Sequence, residues 1–171
     1  IEDNNSQVYF AEKFNYSINK EIFKGEKVLI ITNYNLPKSD KFFFENAIIN
    51  LKEQRFIAKD TEIEIHKDIF DNTENDPRLK GVSSYSDNNL TVVNKGAFTS
   101  CKKNDNCPPW VINAKVIKHD KSKKQLIYDD AVLKIYDFPV FYFPKFFHPD
   151  PSVKRLSGLL KPEINNSNTL G

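Results

Sequence analysis

An all-β protein, built as a rolled or folded-over sheet of short stacked strands, is what three features of the 171-residue sequence predict. Apolar residues recur with a period of two, as in Val28 and Ile30, Phe42 and Phe44, Ile63 and Ile65, Ile112, Ala114 and Val116, and Leu133 and Ile135. Turn-forming residues punctuate these runs at Lys24-Gly25, over 35–40, over 71–80 and at Asp87-Asn88-Asn89. No convincing apolar stripe at helical spacing runs beside them.

Taken in order, the alternating pairs place Ile57, Ile63, Ile65, Ile112, Ala114, Val116, Leu133 and Ile135 on the inward face. A faint internal repeat points the same way. Phe10, Phe14, Phe23, Glu26, Leu29 and Ile31 recur 34 residues later as Phe44, Ile48, Ile57, Asp60, Ile63 and Ile65. Ile127, Asp130, Leu133 and Ile135 repeat the later part of that spacing, as expected when one hairpin stacks on the next. An inner face of this kind packs as a dry core or, if the roll is not closed, lines a lipid-sized groove. The pattern alone favours the dry core.

The strand Val111 to Ile117 follows Pro108 and Pro109, which lack backbone donors, so it begins at Trp110 or later. The indole of Trp110 would cap one end of a groove or serve as a core aromatic. The run 138–151 carries four prolines among many aromatics and reads as a stiffened connector, with an edge strand and loop as the alternative.

Composition narrows the function. A formal charge of +2 from 25 basic and 23 acidic residues, without a long block of one sign, argues against a nucleic-acid partner. No apolar run is long enough for a membrane-spanning helix. Phe is abundant at 14 residues, Gly is scarce at 5, and Met is absent, so Ile1 reads as a processed or made end. Cys101 and Cys107 lie close together in a polar stretch, which suits an oxidising compartment better than a redox or zinc motif. His119-Asp120 reads as a hydrogen-bonded turn, since no second ligand stands at metal spacing. Ser152, His119 and His148 have no supporting catalytic motif, so the chain reads as no enzyme, and no metal or cofactor is implied. Lys154 and Arg155 could meet phosphate on an anionic lipid headgroup, or form a solvated basic turn.

Two stretches carry a family resemblance. One is Phe98-Thr99-Ser100-Cys101 with Cys107-Pro108-Pro109-Trp110-Val111-Ile112-Asn113-Ala114 and Ile117-Lys118-His119-Asp120. The other runs from Tyr128-Asp129-Asp130-Ala131-Val132-Leu133 through Phe138-Pro139-Val140-Phe141-Tyr142-Phe143-Pro144 to His148-Pro149-Asp150-Pro151-Ser152-Val153-Lys154-Arg155-Leu156-Ser157-Gly158-Leu159-Leu160-Lys161-Pro162. Over about the last 75 residues the chain resembles the LptD family of outer-membrane lipopolysaccharide-assembly proteins. The part before Phe98 is similar to the family's OstA-type repeats in pattern.

The resemblance implies a V-shaped open β-jellyroll over 1–137, a connector to a barrel over 138–158, and the start of the first barrel strand over 159–171, poorly ordered without its partners. It implies non-enzymatic lipopolysaccharide transport in the outer membrane of a Gram-negative bacterium, with this segment in the periplasm. Ile57, Ile63, Ile65, Trp110, Ile112, Ala114, Val116, Leu133 and Ile135 would line the acyl-chain groove, and Pro139, Pro144 and Pro162 would shape the connector and gate. The implied partners are lipopolysaccharide, a bridge protein of the LptA type, and a plug lipoprotein of the LptE type reached through the barrel. Cys101 matches the cysteine that pairs with the barrel, but Cys107 also allows a local bridge, and an upstream cysteine of the family is missing. The alternative is a free periplasmic bridging protein of the LptA or LptC type.

Overall fold

The computed structural model describes residues 6–36, 38–66, 76–103 and 109–149. Ten strands follow one another: β1 (Val8–Phe10), β2 (Lys13–Ser17), β3 (Ile22–Ile31), β4 (Lys41–Asn50), β5 (Arg55–Glu64), β6 (Arg78–Ser86), β7 (Leu90–Thr99), β8 (Trp110–Asp120), β9 (Gln125–Ile135) and β10 (Phe138–Pro149). A single 3-10 turn, Ile18–Lys20, separates β2 from β3. From β3 to β10 each strand pairs antiparallel with the next, while β1 and β2 lie end to end against β3. Among the described residues no ladder joins β10 to β1 or β2, so the sheet is an open roll of the expected all-β class.

A single sheet has no second layer to cover its apolar side, and this one covers itself by folding along a transverse crease. Each strand from β3 to β10 changes its inward parity at the same level. Phe23 and Gly25 face inward in β3 before Lys27, and Val28 and Ile30 after it. The same switch falls at Glu45 in β4, Asp60 in β5, Val82 in β6, Lys95 in β7, Lys115 in β8 and Asp130 in β9. These residues drop out of the pairing ladders, yet the register on either side is unchanged. Every second strand makes the bend with a left-handed residue, with φ of 48° at Lys27, 49° at Asp60, 48° at Lys95 and 52° at Asp130. At the two free edges the crease is a break between β1 and β2 and a proline, Pro144, in β10.

The crease divides the sheet into two walls whose apolar faces meet. The upper wall lies on the side of the short turns at 51–54, 87–89 and 121–124, and the lower wall carries the longer connections 32–40, 65–77 and 100–109. Ring contacts cross between them: Phe44 of the lower wall lies 4.9 Å from Phe56 of the upper, and Phe98 lies 5.9 Å from His148.

Close approach at a fold needs small residues, and they change walls half-way along. In the N-terminal half, Gly25, Ala47 and Ala58 form one cross-strand row of the upper wall beneath Val28 and Phe44. In the C-terminal half, Gly96, Ala114 and Ala131 form the matching row of the lower wall beneath Val93, Ile117 and Tyr128. A Cβ on Gly25 would stand 2.7 Å from Val28 Cγ2, one on Gly81 2.2 Å from Val93 Cγ1, and one on Gly96 2.6 Å from Ile117 Cδ1. Gly25 is therefore a packing residue inside β3, and the expected turn at Lys24-Gly25 is not formed.

The crease also corrects two inward assignments. Ile57 lies beyond Asp60 from Ile63, so its parity is reversed; it pairs with Ile48 on the outer face and is 62% exposed. Val116 follows Lys115 and shares the outer row with Asn94 and Asp129, leaving Ile117 to point inward. The repeat is a hairpin period of 33 to 35 residues between left-handed positions, with Lys27, and not Glu26, standing where Asp60 and Asp130 stand.

Gly96→Val should destabilise the fold by about 1–3 kcal/mol through overpacking against Ile117, whereas Ile57→Thr on the outer face should stay within about 0.5 kcal/mol. Urea unfolding of the two variants checks this. Two upper turns are pinned by carboxylates held below the usual range, Asp87 by the Asn89 and Leu90 amides and the Tyr85 hydroxyl, and Asp120 by the Ser122 hydroxyl and Lys123 amide. A depressed folded pKa adds stability above the unfolded value of 3.8 that is lost as pH falls through the folded pKa. Carboxyl NMR titration should therefore give midpoints for both below 3.8, with the turn amides shifting together with them.

Candidate functional site

The inner face of the lower wall carries one unbroken row of apolar side chains. Cross-strand pairing aligns Tyr9, Ile30, Phe42, Ile63, Leu79, Phe98, Ile112, Leu133 and Phe141, one from each strand between the free edge at β1 and the free edge at β10. The strand period of two dictates this, since each member stands two or three residues beyond the crease. The upper wall lacks such a row. There Phe23, Ile49 and Phe56 give way to Ser86, Thr91 and His119 before Leu126 resumes.

Most of the described interior is closed. Phe23, Val28, Val93, Ile117 and Tyr128 are fully buried where the walls meet. Among the described residues the row is half-buried at Phe42 and becomes most exposed towards β10. Ile112 and Leu133 are half-buried, Phe141 is 61% exposed, and beside them Trp110, Ile135 and Phe138 form a second aligned row, with Phe138 75% exposed.

The expected groove residues therefore divide into three groups. Trp110, Ile112, Leu133 and Ile135 come together at the open end, with the Trp110 ring 6.0 Å from Phe98. Ile63 and Ala114 are sealed in the core, and Ile65 packs against its rim. Ile57 and Val116 face away. Phe138 and Phe141 belong to the open strip but were hidden in a run that reads as connector; their pairing to Ile135 and Leu133 makes that run the edge strand β10.

β10 carries Pro139 at a register shift and Pro144 at the crease, both where a backbone donor is dispensable. Its inner residues Phe143, Phe146 and His148 cover Ala131, Tyr128 and Leu126. His148 Nδ1 lies 2.7 Å from the Pro149 carbonyl, so it is the donor there, and Nε2 accepts the Tyr128 hydroxyl at 2.8 Å. Burial pushes the Tyr128 phenol well up, so it stays protonated and keeps this bond. On the outer face Tyr142 donates to Asp130 at 2.8 Å, a second tie placed at the crease.

Cys101 has a free thiol 3.7 Å from the Trp110 carbonyl, and no disulfide joins it to another described residue. The Arg78 guanidinium bonds the Cys101 carbonyl and so anchors the start of the connection to β8. Cys107, Ser152, Lys154, Arg155 and Pro162, with the local bridge, the headgroup site, the gate proline and the tail 159–171, lie outside the described residues. Among the described residues no three side chains gather as a metal site, and no helix is long and apolar enough to cross a membrane.

No family model matches the chain. Seven curated relatives do, and each is named LPS-assembly protein LptD. This chain is an LptD-like segment. The relative from Shewanella frigidimarina is 30% identical over 151 residues and that from Polaromonas sp. 29% over 139, each alignment covering 74% of this chain. Shewanella denitrificans has a relative 37% identical over 86 residues, half of the chain. The LptD-like segment covers only 19%, 16% and 11% of those three proteins' lengths.

Tyr128→Phe should leave His148 Nε2 without its donor and cost about 1 kcal/mol, with the loss concentrated in β10. Urea unfolding gives the magnitude, and faster amide exchange over Phe138–Pro149 than elsewhere gives the location.

Proposed function

We propose that the chain serves lipopolysaccharide assembly at the outer membrane as a non-enzymatic lipid conduit on the periplasmic side, taking acyl chains on its inner face and passing them towards a barrel. The observation that carries this reading is the unbroken apolar row from Tyr9 to Phe141, open at β10 and bounded by a free sheet edge at each end. Burying an acyl chain of roughly 12 methylenes contributes on the order of 10 kcal/mol, so attraction needs only apolar surface. Equivalent neighbours along a row let a chain move sideways, whereas a deep single pocket would hold it. The names of the relatives support the lipopolysaccharide assignment.

The free edges suit strand addition by partners, an LptA-type bridge protein at one end and the barrel at the other. An LptE-type plug would be met through the barrel. The prolines at 139 and 144 stiffen β10 as it leads towards the remainder of the chain, which keeps the hinge role for this strand.

Photo-crosslinking residues placed singly in the full-length protein check the conduit with purified lipopolysaccharide as probe. Capture is expected at Ile112, Leu133 and Phe141, and background at Lys134 and Ile57, which lie on the outer face. Equal capture at Leu133 and Lys134 would overturn the assignment.

A further inference from the structure

The buried side chains fall into two clusters that follow the change of walls by the small residues. The N-terminal cluster contains Phe23, Val28, Phe44, Ala47, Ile49 and Ala58, and the C-terminal cluster begins at Ile63 and Leu79 and continues through Val93, Ile117, Tyr128 and Ala131, so that β5 contributes to both. Between them runs a band of buried hydroxyls. Thr61 Oγ1 and Ser84 Oγ meet at 2.6 Å across the crease, and Ser86 Oγ and Thr91 Oγ1 meet at 2.7 Å on the upper wall. Lys121 Nζ closes the band from outside by donating to Ser86 Oγ at 3.0 Å. Among the partly buried hydrophobic residues described, Phe42 alone packs against both clusters.

We propose that this hydroxyl band makes the roll open as two units, with Phe42 as their mechanical link, so that an alkyl chain handled as described above has two stations and not one uniform trough. The second clause rests on the conduit reading; the first stands without it. The physical reason is that interdigitated apolar packing transmits strain, whereas these hydroxyl pairs bind each other and offer no knob to either side. Separating the walls at Phe44 need not disturb Ile117, because the hydroxyls between them bond one another and the nearby upper turns and do not interlock with either cluster. Continuity survives only on the lower wall, through the Ile30, Phe42 and Ile63 row.

Three kinds of variant test this by native-state amide exchange in the full-length protein. Phe44→Ala should speed exchange over β3, β4 and residues 55–59 of β5 by on the order of 100-fold and leave β7–β9 within threefold of the parent. Ile49→Val is the milder form if Phe44→Ala does not fold, and should speed the same strands severalfold. Removing the band with the quadruple variant T61V/S84A/S86A/T91V should spread the effect of Ile49→Val into β7–β9, while Phe42→Ala should sharpen the boundary. Equal acceleration of both halves by Phe44→Ala or Ile49→Val would overturn the two units. With the same lipopolysaccharide probe, crosslinking from Leu133 and from Phe44, which is buried until the N-terminal unit opens, should both capture lipid, with the band-less variant changing their ratio. Loss of all capture would sink the conduit but leave the exchange result standing, and an unchanged ratio would sink the stations alone.

Discussion

Every other feature of this fold depends on the strands all reversing parity at one level. A sheet with one apolar side and no covering layer must hide that side from water, and folding the sheet on itself does so only if each strand bends where its neighbours bend. A bulge in one strand would shift the register of its partner. Here the disruption is shared by both members of each pair, so the ladders resume in step beyond it. The cost falls on Lys27, Asp60, Lys95 and Asp130, which hold left-handed backbone without being glycine.

That arrangement accounts for what could and could not be read from the residues. Strand existence, the all-β class and the inward set Ile63, Ile65, Ile112, Ala114, Leu133 and Ile135 follow from alternation, because alternation is local and each of these lies on one side of the crease. Ile57 and Val116 lie across it from Ile63 and Ala114, and a period of two fails by one residue there. Nothing at the crossing is a turn signal, since lysine and aspartate mark it instead of glycine. The described glycines sit one or two positions away, where their signal is lack of volume; Gly25 consequently reads as a turn and is a floor for Val28. The repeated acid before Ile63 and Leu133 was the visible trace of the crease. At Glu26 it lies one residue out of step.

The open end was harder to read for a different reason. Four prolines over 138–151 argue against a central strand, and β10 is an edge strand, where a proline nitrogen can face away from the only neighbour. Once β10 joins the sheet, its aromatics extend the rows begun by Tyr9 and Trp110, and the inner surface gains Phe138 and Phe141. The hydroxyl band was invisible because serine and threonine look like solvent-facing residues until the parity of their strands is known.

The left-handed positions occur in alternate strands, so the unit that can be copied without penalty is a pair of strands and never a single one. A duplicated hairpin brings one bending residue and one that merely yields to it, and its outer strands meet the old neighbours in the correct alternation. An odd insertion would set two left-handed strands, or two without one, side by side. The roll is thus a ruler graduated in hairpins: its span between the two free edges can lengthen by about two strand spacings, roughly 10 Å at a time, while the cross-section made by the two walls stays constant.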